Sequence, residues 1–183
     1  MDRIIVADGL KKTFYLSKKQ QRLEHTKETR RVAVDGLSFA AYRGEVFGLL
    51  GPNGAGKTTT LRMLATLIKP DEGDALIDGA SIRTAPADVR ARIGFLTSEL
   101  KLEDFFTPNA LYDFFSELHG VPADVRRARK ERLFARFGID AFAEVRVGDL
   151  STGMKQKVSL VISVVHDPDV IIFDAVSYTH LTL

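Results

Sequence analysis

Nine consecutive residues, Gly51-Pro52-Asn53-Gly54-Ala55-Gly56-Lys57-Thr58-Thr59, restrict this chain more than any other stretch. They satisfy the pattern G-x-x-x-x-G-K-[ST], and they stand between an apolar run, Val46 to Leu50, and a segment in which Leu61, Leu64, Ala65 and Ile68 recur at helical spacing. Strand, glycine-rich turn and helix in that order imply an α/β fold. The glycines let the backbone wrap closely around a phosphate chain, so that successive N–H groups and the start of the helix face negative charge. Lys57 then reaches the terminal phosphates as a cation, and Thr58 lends its hydroxyl to Mg²⁺. A glycine-rich turn without a ligand would share the composition, but not the whole pattern in its strand-to-helix setting.

A phosphate-binding loop by itself suits kinases, GTPases, helicases and transport ATPases alike. Asp174 supplies a second part. It ends the apolar run Val170-Ile171-Ile172-Phe173, and in open α/β sheets ligands gather at the carboxyl ends of parallel strands, where a carboxylate can hold the water shell of Mg²⁺ opposite Thr58. Away from a phosphate loop, the same aspartate reads as a turn residue.

Composition narrows the classes further. The 183 residues, 45% hydrophobic and 27% charged, suit one globular domain, and the net charge of +2 gives no ground for expecting a nucleic-acid partner. With no cysteine there is no disulfide, no thiolate metal site and no thiol nucleophile. The longest strongly apolar stretch, Val158 to Val165, falls far short of the ~20 residues of a spanning helix. The first residues lack the basic-then-apolar pattern of a secretory signal, and the lack of cysteine makes a reducing cytosol a comfortable setting.

Periodicity predicts strands at Ile4–Val6, Val32–Ala41 and Val46–Leu50, and a helix from Lys57 to Ile68 stopped by Lys69-Pro70. A hairpin is expected from Ala75 to Ile82 around Asp78-Gly79. A short helix, Val89–Arg92, leads into a buried strand at Ile93–Leu96. A helix beginning near Pro108 places Leu111, Phe114, Phe115 and Leu118 on one face, and a second runs from Ala123 to Phe137. The second carries Arg126, Arg127, Arg129, Lys130, Arg132 and Arg136, read as a solvated amphipathic face rather than a nucleic-acid surface. Lys11 to Arg31 holds eight basic and two acidic residues. It reads first as an exposed, mobile hairpin or loop inserted between two strands, and second as a docking surface for a partner or anionic lipid head groups.

Leu150-Ser151-Thr152-Gly153-Met154 opens a further helix, and alone it is an ordinary N-cap. The order of parts changes its meaning: phosphate loop, helical segment, Ser-x-Gly helix start, apolar strand ending in Asp174. In that order the sequence resembles the ATP-binding subunits of ABC transporters from about Ile4 to Asp174. The resemblance implies a phosphate-loop NTPase fold over residues 1–174, with an antiparallel N-terminal β region and a helical insert at about 99–148. It implies ATP and Mg²⁺ as cofactors, and Phe14 as the ring on which adenine stacks, with Tyr15 in reserve. Leu150, Ser151, Thr152, Gly153 and Met154 become the signature that contacts the ATP of the other subunit in a homodimer or heterodimer. The insert becomes the part that docks on a transmembrane permease subunit at the cytoplasmic face, with Phe105, Phe106, Tyr112, Phe114 and Phe115 as its aromatic face or as core. The form Ser-Thr-Gly-Met is similar to bacterial exporters of the sodium-efflux type.

The sequence also departs from that family. Ser98 stands where a glutamine reaches Mg²⁺ and the attacking water, with Glu99 as a substitute. Ala175 stands where a glutamate polarises that water, a contribution of ~10² to 10⁴ in rate. His180 is too near the strand end to be the family's switch histidine. Residues 175–183 are therefore expected to be a non-native tail on an incomplete domain, the alternative being a genuine last strand in which Val176, Tyr178 and His180 alternate with Ser177, Thr179 and Leu181. Three functions remain open: a transporter ATPase subunit whose present form binds nucleotide, a degenerate module that binds without hydrolysing, and a phosphate-loop phosphotransferase.

Overall fold

The computed structural model describes residues 2–23, 25–97 and 102–174 and divides the chain into two compact units, Met1–Arg92 and Ile93–Leu183. In the first unit, β1 (Arg3–Tyr15) and β2 (Arg30–Tyr42) form a long antiparallel ribbon, joined through α1 (Lys18–Leu23). β3 (Glu72–Ile77) pairs antiparallel with the other edge of β1, and β4 (Ala80–Ser81) with β3, giving the order β2-β1-β3-β4. Two further helices complete the unit, α2 (Lys57–Leu64) and α3 (Pro86–Arg92). Ile5, Ala7, Leu10 and Val34 of the ribbon, Ala75 and Ile77 of β3, Met63 and Leu64 of α2 and Val89 of α3 are all buried.

The antiparallel N-terminal region and the hairpin at Asp78-Gly79 follow the sequence reading. Both turn residues have positive φ, 46° and 80°, the geometry of the tight turn that matches strand twist. The charged stretch from Lys11, expected as a hairpin or loop, takes the hairpin form. The ribbon continues through Tyr15 opposite Arg30, because two exposed strands satisfy each other's backbone groups whatever charge their side chains bear. Two expectations are corrected. The helix after the phosphate loop ends at Leu64, four residues early. Thr66 takes the left-handed conformation (φ 60°), its N–H meets the Met63 carbonyl and that of Leu67 meets the Arg62 carbonyl, closing the helix before Lys69-Pro70. Arg90 donates to the Thr66 hydroxyl at 3.0 Å and holds that turn. Finally, Val46–Leu50 forms no strand among the described residues, and Val46 and Leu50 are wholly exposed. Apolar character signals that a segment is suited to burial, but a strand exists only where a neighbour pairs with its backbone.

In the second unit, β5 (Ile93–Thr97) and β6 (Val170–Asp174) run parallel, with Thr97 in register with Asp174. Three helices accompany them: α4 (Pro108–Leu118), α5 (Ala123–Phe137) and α6 (Thr152–Ser163). Leu111, Tyr112, Phe134, Ile139, Val147, Val158, Val161 and Val165 build one core. Thr107 caps α4 by accepting from the Ala110 N–H, and Pro108 occupies the first helical position, where no hydrogen bond is lost.

The aromatic cluster is divided between core and surface. Tyr112 is fully buried, edge-on to Phe134, and Phe106 and Phe115 pack on the core, whereas Phe105 and Phe114 are exposed. The basic helix α5 is not simply a solvated face. Arg126 pairs with Glu117 at 2.5 Å, Lys130 pairs with Asp113 at 2.7 Å and donates to Asn109, and Arg129 donates to the Val165 carbonyl at 2.6 Å. Half of its cations thus pin α5 to α4 and to the turn before β6, while Arg127, Arg132 and Arg136 stay exposed. Among the described residues, no helix is long and apolar enough to cross a membrane.

Candidate nucleotide-binding site

The phosphate loop lies wholly in the first unit. Its last glycine, Gly56, precedes α2 in the left-handed conformation (φ 83°), and a Cβ placed there would stand 2.1 Å from the Ala33 carbonyl oxygen of β2. Only a residue without a side chain fits. The close approach seats the end of the loop on the ribbon beside Val32, which faces Thr13 across the sheet; the next pair along is Phe14 with Arg31. Local backbone geometry thus brings the loop and the expected adenine-stacking ring to the same end of β1 and β2.

Lys57 turns its ammonium back onto the loop, donating to the carbonyls of Gly51 at 2.6 Å and Pro52 at 2.8 Å. These are the contacts of a cation folded over a glycine cradle. Behind it, the N-terminus of α2 has no side-chain cap, so its first N–H groups and the positive end of the helix dipole remain suited to an anion. Thr58 follows in the first turn of α2, and Thr60 is buried with its hydroxyl on the Gly56 carbonyl.

Phe14 is 37% exposed and Tyr15 81% exposed. The Lys12 ammonium stands 5.8 Å from the centre of the Phe14 ring. That lysine was missed in the sequence reading, although residues two apart on a strand share a face, and period-two spacing could have found it. Lys12 is fixed in turn by Asp71 at 2.8 Å. Asp71 also accepts from the Thr13 N–H, and the Lys12 and Thr13 hydrogen bonds hold its carboxyl below the usual carboxylate range.

The signature and Asp174 belong to the second unit. Ser151 caps α6, its hydroxyl accepting from the Met154 N–H at 3.3 Å, so the reading as an N-cap is correct at that level. Leu150 is buried in the core and Met154 packs against it, while Ser151, Thr152 and Gly153 are exposed. A Cβ on Gly153 would meet nothing within 4 Å. Among the described residues, packing therefore gives no reason for a glycine at that position. Asp174 is 3% exposed at the carboxyl end of β6. Ser98, Glu99, Ala175 and His180, with the whole 175–183 segment, lie outside the described residues.

In the first unit, a glycine cradle at a helix N-terminus with a lysine folded across it defines a nucleotide-binding protein of the phosphate-loop class. The chain belongs to the ABC transporter family, whose sequence model matches residues 34–177. It is 43% identical over 143 residues to "ABC transporter ATP-binding protein NatA" of Bacillus subtilis, covering 78% of this chain and 58% of that protein. It is 42% identical over 144 residues to "Nod factor export ATP-binding protein I" of Paraburkholderia xenovorans, covering 79% of this chain and 47% of that protein. The chain thus spans about half the length of these curated relatives. Among solved structures, an ATP-binding subunit of an ABC transporter superposes with a TM-score of 0.76 at 22% identity, over 93% of this chain and 65% of the other. CbiO1 of Clostridium perfringens, described as part of the ABC transporter complex cbiONQ, gives 0.68 at 26% identity, over 94% and 65%. The fold is that of ABC ATP-binding subunits, as the resemblance implied.

Proposed function

We propose that this chain is the ATP-binding part of an exporter subunit, working as a homodimer or heterodimer with a transmembrane permease at the cytoplasmic face of the membrane. The observation that carries the reading is the loop itself: a left-handed glycine seated on β2, an uncapped helix start and Lys57 folded over the cradle. Export in particular is supported by relatives named for it, the Nod factor export proteins at 39–42% identity.

In this reading backbone N–H groups of Gly54 and of Gly56 to Thr59 bind the phosphates of ATP, with Lys57 exchanging its loop carbonyls for phosphate oxygens. Phe14 takes the adenine ring, and the nearby Lys12 keeps the aromatic face polarised. Thr58 in the first unit and Asp174 in the second are each an oxygen donor of the kind Mg²⁺ takes, and each is assigned to that ion as the family resemblance implies. When bound, Mg²⁺ neutralises charge that develops on the phosphates. Ser151 and the open backbone at Gly153 present a helix start to the nucleotide of a second subunit, which accounts for a glycine that packing among the described residues does not require.

The residue after Asp174 is alanine, which offers no group to take a proton from water. The chain as it stands therefore binds nucleotide and hydrolyses it slowly, which is also what a degenerate, non-hydrolysing module would do. Calorimetric titration with MgATP is the direct test. Binding is expected for the unaltered chain and is lost in Lys57→Ala; equal binding by both would overturn the assignment of the loop. Ala175→Glu separates the remaining readings. A rise in hydrolysis of ~10²-fold or more marks an otherwise complete ATPase site and overturns the degenerate module.

A further inference from the structure

The ribbon formed by β1 and β2 outruns the rest of its sheet, because β3 pairs with β1 only as far as Lys11 while β2 continues to Tyr15. Beyond that point the connection is ordered by its own hydrogen bonds. The Leu16 N–H donates to the Thr29 carbonyl, and the Thr26 N–H to that of Gln21. Ser17 and Gln20 cap α1 reciprocally, each side chain accepting from the other's N–H at 3.3 and 2.8 Å. The result is a preorganised tip with no buried residue in its helix.

Its chemistry is lopsided. Residues 16–31 carry six basic and two acidic side chains, a net +4 in a chain whose total is +2, so the remainder is net negative. Lys18, Lys19 and Arg22 lie within two turns of α1, and Lys27 follows on the exposed return to β2. Among these cations stand two large exposed side chains, Tyr15 at 81% and Leu23 at 70%. Charge alone would suit any polyanion. An aliphatic side chain one helical turn from Lys19, with a tyrosine at the base, adds the amphipathic character that inserts between lipid head groups.

We infer that this arm is a membrane contact: its basic tip binds the anionic lipid head groups of the bilayer while Leu23 and Tyr15 enter the interface. The inference is independent of the phosphate loop, since none of the tip's cations belongs to it, and it takes Phe14, not Tyr15, as the adenine ring. It goes beyond attachment through a permease by giving the chain a direct hold on the bilayer beside Phe14.

Vesicle co-sedimentation of the full chain tests it, with phosphatidylcholine alone compared with phosphatidylcholine containing a third phosphatidylglycerol. Binding only to the anionic vesicles, weakening as salt is raised, is expected. Each basic side chain near such a surface contributes roughly a fivefold factor, so K18E/K19E/R22E should weaken binding by about a hundredfold or more. MgATP binding by that variant should be unchanged, which distinguishes failure of the arm from failure of the nucleotide site. Leu23→Ser should cost a further severalfold while leaving the salt dependence intact. No difference between the two vesicle types, or equal binding by the triple variant, overturns the inference. Binding to heparin as tight as to anionic vesicles, with Leu23→Ser silent, overturns it in favour of a soluble polyanionic partner.

Discussion

Gly54 and Gly56 have nearly the same backbone conformation, φ 84° and 83°, yet different surroundings. A Cβ on Gly54 meets nothing within 4 Å, whereas one on Gly56 stands 2.1 Å from the Ala33 carbonyl oxygen and 3.1 Å from Val34 Cγ2. Replacing each with alanine therefore separates backbone strain from collision. Both variants carry the left-handed penalty of an L-residue, about 1–2 kcal/mol. Gly56→Ala carries in addition the displacement of either the loop or β2 by roughly an ångström, a further 1–3 kcal/mol on the scale of overpacked cores. The expected losses are thus about 1–2 kcal/mol for Gly54→Ala and about 2–5 kcal/mol for Gly56→Ala. Urea denaturation read by circular dichroism measures the difference, and calorimetry with MgATP measures whether the seat of the loop matters for binding. Gly56→Ala should lose nucleotide affinity by more than Gly54→Ala does. Equal stability of the two variants would refute the idea that the close seat on β2 is what requires glycine at position 56.

The second unit should lose stability on acidification. His119 and His166 stack with ring centres 4.1 Å apart, and burial holds both below the usual histidine range; for His166 the neighbouring His119 adds to the effect. The unfolded chain takes up protons near pH 6.5 that the folded chain takes only at lower pH, so stability is complete above that value and falls as pH drops through the depressed native values. Thermal melts from pH 8 to about 5 should show this, and His119→Phe should flatten the slope. Arg129→Ala strips the buried Val165 carbonyl of its donor and should cost about 1–3 kcal/mol in urea. Ser151→Ala removes the cap of α6 at about 1 kcal/mol. Gly153→Asp, at an exposed position with open space around it, should leave fold and MgATP binding intact but abolish ATP-dependent dimerisation in size-exclusion chromatography.

Much of the architecture was legible because the signals are local. A contiguous glycine pattern defines a loop, apolar spacing defines α4 and α5, Asp78-Gly79 defines a hairpin turn, and a run of four apolar residues before an aspartate defines β6. The order of these parts along the chain was enough to reach the family. Each depends on residues a few positions apart, so the sequence holds the whole of the information.

What tertiary structure decided depends on residues far apart in the chain. That β1 runs on through its lysines to Tyr15 follows from β2 lying alongside, not from the composition of β1. That Val46–Leu50 is exposed follows from the lack of a paired neighbour among the described residues, which apolarity cannot report. Whether Gly56 is required depends on a carbonyl 23 positions earlier, and whether Gly153 is required depends on there being nothing nearby among the described residues. The cations of α5 looked alike in one dimension, yet Arg126, Arg129 and Lys130 find partners on other elements while Arg127, Arg132 and Arg136 remain exposed. Local preference acts through bonds and turns within a few residues, whereas partnership is conferred by packing, and only the folded chain brings those partners within reach.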